Sequence, residues 1–420
     1  MNFDQFSFDQ RIVAGIKACG YETPTPIQQQ AIPDVLKGND VLGLAQTGTG
    51  KTAAFALPIL QRLLDADAPK RGPVKTLVLA PTRELALQIQ ESFVAFGKQS
   101  GIRTAAVFGG VGFTPQIKAA RSATVMVACP GRLLDLLNQG VIKLDQVDTL
   151  VLDEADHMMD MGFLPDLRRI MAKLPEQRQN LLFSATMPND IRRLADKILD
   201  NPVTVQVDNT RPADSVSHAF YPVRHHLKGQ LLEDLLEKTE HESVLVFTRT
   251  KHRAKNLARK LERQGHEAAF LQGNMSQNQR RRALDGFRDG TFRIMVATDI
   301  AARGIDCARV SHVINFDLPD TAETYTHRIG RTGRAERTGA ALTLLAPDDD
   351  KRLVGQIEKI VNQRIERHKL EGFDYDRADT RKSAPRRGRP GGGSGKRPGR
   401  PGGANGSRGG KRAPQSAGRR

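Results

Sequence analysis

Three features of the sequence predict an α/β fold of two tandem parallel-sheet domains followed by a disordered basic C-terminal tail. Apolar runs of strand length alternate with helical patterns, the alternation restarts after a polar break, and apolar residues then vanish near the end. The first runs cover residues 41–44, 75–79, 124–127, 149–152 and 181–183. Their continuous hydrophobicity suits a parallel sheet covered on both faces. Between them, residues 83–96 space Leu85, Ile89, Phe93 and Phe96 along one helix face. The polar stretch 208–215 reads as a linker, and strand-like runs resume at 243–247, 292–296 and 312–316. Residues 251–264 carry Ala254, Leu257, Ala258 and Leu261 at helical spacing. The expected boundaries are an N-terminal segment 1–30, a first domain 31–207, a linker 208–217, a second domain 218–370 and a tail 371–420.

Composition narrows the chemistry. The chain has 420 residues and 39% hydrophobic content, enough for two or three packed domains. Its net charge of +17 is concentrated at the end, because residues 381–420 hold thirteen Lys/Arg and no Asp/Glu, which leaves +4 for the rest. That tail repeats Gly-Arg-Pro-Gly-Gly at 388–392 and 399–403 and has too little apolar surface to offset ordering. A polycation of this kind has the electrostatic footprint of a nucleic-acid binder, the alternative being a solubilising tail without a partner. Cys19, Cys129 and Cys307 are scattered and form no CxxC, which argues against disulfides or a zinc site and for a reducing compartment. The start MNFDQFSFDQ has no basic region followed by an apolar one, and no run reaches membrane-span length. A soluble, cytoplasmic protein is expected.

The first domain carries the chemistry of nucleotide hydrolysis. Ala45, Gln46, Thr47, Gly48, Thr49, Gly50, Lys51 and Thr52 form a phosphate loop that follows a strand and opens a helix, with Ala45 where a glycine is usual. Such a loop turns N–H groups toward phosphates, and Lys51 adds a positive charge for the β- and γ-phosphates. About a hundred residues on, at a strand end, stands Asp153-Glu154-Ala155-Asp156. Thr52 and Asp153 are the expected holders of Mg²⁺, partly through water, and Glu154 the residue that positions or deprotonates water. Gln28 presents one donor and one acceptor side by side, the pattern of the adenine N6 and N7 edge, and so favours ATP over GTP. In isolation Gln28 would be read as a cap or a surface residue.

The full set of motifs resembles the DEAD-box RNA helicases, and within them the bacterial RhlE-type group. Phe3 with residues 20–28 resembles the Q motif, 45–52 motif I, and Pro81-Thr82-Arg83-Glu84-Leu85-Ala86 motif Ia. Gly109-Gly110, Pro130-Gly131-Arg132, 153–156 and Ser184-Ala185-Thr186 follow in family order. The second half adds Val246-Phe247-Thr248-Arg249, then Gln272-Gly273 with Gln277 and Arg280, Ala297-Thr298-Asp299 through Asp306, and residues 327–334. The resemblance implies two RecA-like domains, ATP and Mg²⁺ as cofactors, and Phe3 and Asp306 as further nucleotide contacts. It also implies His327, Arg331 and Arg334 as catalytic, the two arginines reaching the γ-phosphate once the domains close. Ser184, Thr186 and Asp156 would couple the nucleotide site to the interface. Pro81, Thr82, Arg83, Gly110, Gly131, Arg132, Arg249, Gly273, Gln277 and Thr298 would contact RNA, single-stranded or short duplex, through its backbone with little sequence preference. Ribosomal particles, with a part in ribosome biogenesis, or RNA-decay machinery are partners compatible with this reading; a membrane is not.

Two positions depart from the family pattern. Cys129 stands where threonine is usual, and a thiol is a poor hydrogen-bond partner, so one weakened backbone contact is expected there. Gln272 stands where histidine is common. Two other classes stay open on sequence: an ATP-gated RNA clamp, and a DNA-directed protein whose Arg387-Gly388-Arg389-Pro390 resembles a minor-groove hook. The charge distribution yields a direct expectation. Deleting residues 381–420 should weaken RNA binding and flatten its dependence on salt while basal ATP turnover persists; an unaltered salt slope in a binding titration would refute the role given to the tail.

Overall fold

Continuously apolar runs become central strands because both of their faces are buried. The computed structural model describes residues 2–45, 48–68, 70–207, 216–302, 310–333 and 338–378. Among these, β1 (Val41–Leu44), β2 (Thr76–Leu79), β3 (Thr104–Val107), β4 (Val125–Ala128), β5 (Thr149–Leu152), β6 (Gln179–Ser184) and β7 (Val203–Gln206) form one sheet in the order β3-β4-β2-β5-β6-β1-β7. All its pairings are parallel, with Val41 opposite Leu181 and Thr76 opposite both Val125 and Thr149. Side chains alternate through the sheet: Val78 joins the core on one face, Leu77 and Leu79 the core on the other.

The second half repeats the plan. β8 (Val216–Pro222), β9 (Val244–Phe247), β10 (Ala268–Leu271), β11 (Ile294–Ala297), β12 (His312–Asn315), β13 (Gly339–Leu345) and β14 (Glu366–Arg367) pair in the order β10-β11-β9-β12-β13-β8-β14. Counted from each sheet's own first strand, the two orders are identical. This is the tandem α/β architecture that the restarting pattern predicts. In both sheets many of the candidate residues lie at or just beyond strand C-terminal ends, where open α/β sheets place ligands. The phosphate loop follows β1, residues 153–156 follow β5, and Ser184 ends β6 with residues 185–186 just after it. Residues 81–83, 109–113 and 129–132 follow β2, β3 and β4, which places them on the other side of the same edge.

Three boundaries move. Val216 and Ser217, expected at the end of the linker, open β8, and Val216 is buried in the second core. The tail expected from residue 371 begins later, because Phe373 and Tyr375 pack against the second domain and the Tyr375 hydroxyl accepts from the Leu370 N–H at 2.8 Å. The N-terminal segment is helical, with Gln10–Ala18 and Pro26–Lys37 packed on the first core. The linker residues 208–215 and the tail from 379, with both of its repeats, lie outside the described residues.

Helix Gln10–Ala18 sets the position of Tyr21 and lies against helix Arg83–Phe96 with glycine at the contact. A Cβ on Gly15 would meet the Phe96 carbonyl oxygen at 2.1 Å, a backbone atom that cannot swing aside. Gly15→Ala is therefore expected to part the two helices and to destabilise the chain by roughly 1–3 kcal/mol, as forced overpacking does. Urea denaturation is the measurement, and an unchanged midpoint would contradict the contact.

Candidate active site

The phosphate loop is shaped by glycines that no other residue could replace without strain. Gly48 and Gly50 have φ of 90° and 93°, and a Cβ on Gly50 would lie 2.4 Å from Gln28 Nε2. Gln28 itself is fully buried. Its Oε1 accepts from the Thr25 N–H at 2.9 Å, closing the capping box of helix Pro26–Lys37, and its Nε2 donates to the Gly50 carbonyl at 3.1 Å. The amide thus ties the N-terminal segment to the phosphate loop. Lys51 opens helix Lys51–Asp65 and donates to the Ala45 carbonyl at 2.8 Å. A cavity of about 560 Å³ is lined by Gly48, Lys51, Thr52, Asp153 and Glu154, and also by Tyr21 and by Arg288 of the second domain. Phe3 is buried 6.3 Å from the Tyr21 ring, edge to face, so it supports that wall from behind. Gln46 and Thr47 lie outside the described residues.

The acidic turn after β5 gathers three buried carboxylates. Asp153 is 2%, Glu154 3% and Asp156 4% exposed. Burial raises the Asp153 carboxyl to about 6 despite the opposing charge of Lys51. Glu154 sits in the left-handed region at φ 51°, a conformation that L side chains rarely adopt, and so turns away from the strand direction. Burial acts to raise its carboxyl too. The hydrogen bond from His157 and the charges of His157, Arg331 and Lys51 outweigh it and hold Glu154 well below the usual carboxylate range. His157 Nδ1 lies 2.8 Å from Glu154 Oε2, and because an ionised carboxylate only accepts, Nδ1 carries the proton.

Asp156 connects this turn to the Ser184–Thr186 loop. Its Oδ2 accepts from the N–H groups of Ala185 at 3.2 Å and Thr186 at 3.0 Å, and from the Thr186 hydroxyl at 3.0 Å. Ser184 Oγ accepts from the Asp156 N–H at 3.3 Å and donates to the Thr186 carbonyl at 2.8 Å. Burial opposes the Asp156 charge, but His157, His327, Lys51 and the Thr186 bond prevail and keep its carboxyl lowered.

The second domain meets this turn directly. His327 Nε2 is 3.9 Å from Asp156 Oδ2, and the His327 and His157 rings stand perpendicular with centroids 4.9 Å apart. Arg331, buried, acts electrostatically on Glu154 from across the interface. Arg334 and Asp306 lie outside the described residues. A second set of contacts joins the domains on the other side of the edge. Buried Arg280 pairs with buried Glu84 at 2.7 Å, and Arg83 donates to Gln277 at 3.2 Å.

Of the residues expected to contact RNA, Arg83, Gly110 and Arg132 converge. Gly110 has φ 84°, and a Cβ there would lie 2.1 Å from Arg83 Nη1. Arg132 donates to the Val111 carbonyl at 3.1 Å. Pro81 and Thr82 are buried, and the Thr82 hydroxyl caps helix Arg83–Phe96 by accepting from the Leu85 N–H at 3.3 Å. Gly131 and Gly273 face open space. Arg249 is exposed, donates to the Leu318 carbonyl at 3.3 Å and pairs with Asp320; half-buried Thr298 directly follows β11. Cys129 is the N-cap of helix Pro130–Asn138 without a side-chain cap bond, and burial pushes its thiol up to about 12. Gln272 is used locally, its Oε1 accepting from the Asn274 N–H at 2.9 Å.

The sequence reading gave His157 no part in the site, although it follows Glu154 at helical i,i+3 spacing. Glu84 and Arg280 stand within the recognised motifs and Tyr21 within the Q-motif segment, but what each of them touches is set by tertiary contact.

A phosphate loop and acidic turn in one parallel-sheet domain, faced by a buried arginine from a second, define a nucleotide-driven two-domain helicase. The DEAD/DEAH box helicase family matches residues 25–194, and the helicase conserved C-terminal domain matches residues 227–336. Over 377 residues the chain is 41% identical to the DEAD-box ATP-dependent RNA helicase CshA of Geobacillus kaustophilus, spanning 89% of this chain and 79% of that protein. It is likewise 41% identical to the ATP-dependent RNA helicase CshA of Limosilactobacillus reuteri, spanning 87% and 73%. Among solved structures, S. cerevisiae Dbp5 bound to RNA and ADP BeF3 matches with a TM-score of 0.78 at 32% identity, over 87% of this chain and 95% of that one. The chain belongs to the DEAD-box family of ATP-dependent RNA helicases. Among the described residues no helix is long and apolar enough to cross a membrane.

The Asp153 environment predicts an exchange between stability and function. A folded carboxyl raised to about 6 contributes stability that is present below its unfolded value and lost as pH rises through 6. Asp153→Asn is expected to stabilise the ligand-free chain at alkaline pH by roughly 1–3 kcal/mol, to add nothing near the unfolded carboxyl value of about 4, and to abolish ATP turnover. Denaturant unfolding at the two pH values checks it; equal stability of both proteins at alkaline pH would show that the buried charge costs nothing.

Proposed function

We propose that this helicase hydrolyses ATP only when its second domain completes the acidic turn, and that RNA bound across both domains drives that completion. The observation that carries the reading is the placement of Arg331 and His327 against Glu154 and Asp156. Lys51, now on the Ala45 carbonyl, would exchange that bond for the β- and γ-phosphates. The depressed Glu154 carboxyl suits an acceptor that orients the attacking water better than a base that stores its proton. Arg331, with Arg334, would offset the charge that spreads over the γ-phosphoryl oxygens. Asp156 would relay the nucleotide state through Ser184 and Thr186 on one side and His327 on the other. Gln28 would read adenine by giving up one of its two present partners.

Thr52 and Asp153 would hold Mg²⁺, and the fit rests on Asp153, a buried carboxylate whose raised pKa means that a nearby cation would stabilise it. Bound there, the ion would neutralise charge on the β- and γ-phosphates. The RNA substrate would be single-stranded or a short duplex, gripped through its backbone by Arg83, Gly110, Arg132 and Arg249. Assignment to the bacterial RhlE-type group, a cytoplasmic location and a role with ribosomal or RNA-decay particles are further parts of this reading. The basic residues beyond 380 would tether RNA near the core.

Two measurements test the proposal. ATP turnover should rise with single-stranded RNA and not with DNA of the same sequence. Arg331→Ala should lower RNA-stimulated turnover by about 10³-fold or more, the scale of an arginine finger, with little change in nucleotide affinity. A variant that keeps its turnover would place the catalytic charge elsewhere.

A further inference from the structure

Six large apolar side chains are exposed among the described residues: Tyr21, Val94, Val111, Phe113, Ile300 and Ile360. Val111 and Phe113 follow the Gly110 turn, which packs on Arg83, and Arg132 contacts both. Phe113 is the unexpected one, because nothing in the core requires an aromatic at the first position of helix Phe113–Arg121. It is 40% exposed, and the Arg132 guanidinium carbon lies 4.1 Å from its ring centre, over one face. The same guanidinium donates to the Val111 carbonyl, so both the arginine and the ring are held in place before any ligand arrives. The arrangement occupies one face of the phenyl ring, and the residue stays 40% exposed.

A phenyl ring has no hydrogen bond to offer a phosphate, yet this one stands among groups suited to phosphates. Arg132 lies over one face of the ring, and Arg83, packed against nearby Gly110, bonds Gln277 of the second domain, so the loop reaches the interdomain path. Charge beside an exposed π-face is the arrangement by which single-stranded nucleic acid is gripped, backbone on the cations and base on the ring. We propose that Phe113, backed by Arg132, is a stacking platform for one unpaired base of the RNA strand on the first domain. The inference rests on the RNA path proposed above and adds to it a base contact in a path otherwise built for the backbone. Because purines offer the larger stacking surface, the platform confers a modest preference for purine at one position of the strand.

The chain contains no tryptophan, so Phe113→Trp installs a single reporter at the platform. With Mg²⁺ and a non-hydrolysable ATP analogue, its emission should be quenched by oligoadenylate, less by oligouridylate, and not by an abasic oligoribose phosphate of equal length. Phe113→Ala and Phe113→Leu should both weaken oligoadenylate binding by about tenfold, since leucine retains bulk but has no π-face. Binding of oligoadenylate to Phe113→Trp without a change in emission, or wild-type affinity in Phe113→Leu, would overturn the platform. Failure of the underlying path is read separately: Arg83→Ala would then bind RNA as well as the unmodified protein does.

Discussion

Three carboxylates crowded into one buried turn are the constraint to which the rest of this structure responds. Asp153, Glu154 and Asp156 lie within four residues, each nearly inaccessible to water. Desolvation opposes the charge of all three. The first domain supplies only part of the compensation, through Lys51, His157 and the backbone N–H groups of Ala185 and Thr186. The remainder comes from Arg331 and His327 of the second domain. The charges that offset the buried carboxylates are therefore also contacts between the domains, which is why the proposed function ties hydrolysis to closure.

The tandem fold makes this geometry available. Two sheets with the same strand order present the same kind of edge, and residues beyond their strand ends can face each other across a single interface. One half of the first domain's edge, after β1, β5 and β6, holds the phosphate loop and acidic turn. The other half, after β2, β3 and β4, holds Arg83, Gly110 and Arg132. The Arg280–Glu84 pair and the Arg83–Gln277 bond link this second half to the opposite domain. Under the proposed function, nucleotide and nucleic acid would thus address the same interface from two sides. Removing either partner of the buried ion pair would leave an uncompensated charge, which makes the pair more useful as a fixed register between domains than as a source of stability.

Much of the fold was legible because burial on both faces demands an unbroken apolar run. Residues 41–44 and 149–152 are strands at the predicted bounds, and helix Arg83–Phe96 matches its predicted span. The strands that escaped notice mostly have weaker patterns: β3 and β10 are alanine-rich and half-buried, β8 is mostly half-buried, and β7 and β14 are largely exposed edge strands. β13 escaped as well, although it is nearly all buried, because glycine and two alanines dilute its run. Aromatic anchors Phe373 and Tyr375, in a segment otherwise rich in charge, were absorbed into the tail.

For the candidate site, the sequence by itself determined which groups are available for the proposed chemistry. A glycine-rich loop ending in lysine, an acidic turn at a strand end and a pair of arginines in the other half are local patterns, each dictated by the backbone geometry or charge its own step requires. Tertiary structure alone decided which groups share an environment. No spacing rule brings Arg280 to Glu84, His327 to His157, or Arg132 over Phe113, since these contacts join segments from different strand ends and depend on how the sheets and helices pack. The local backbone sets the identity of a catalytic group, whereas its pKa and partners follow from desolvation and from charges that only folding brings within range.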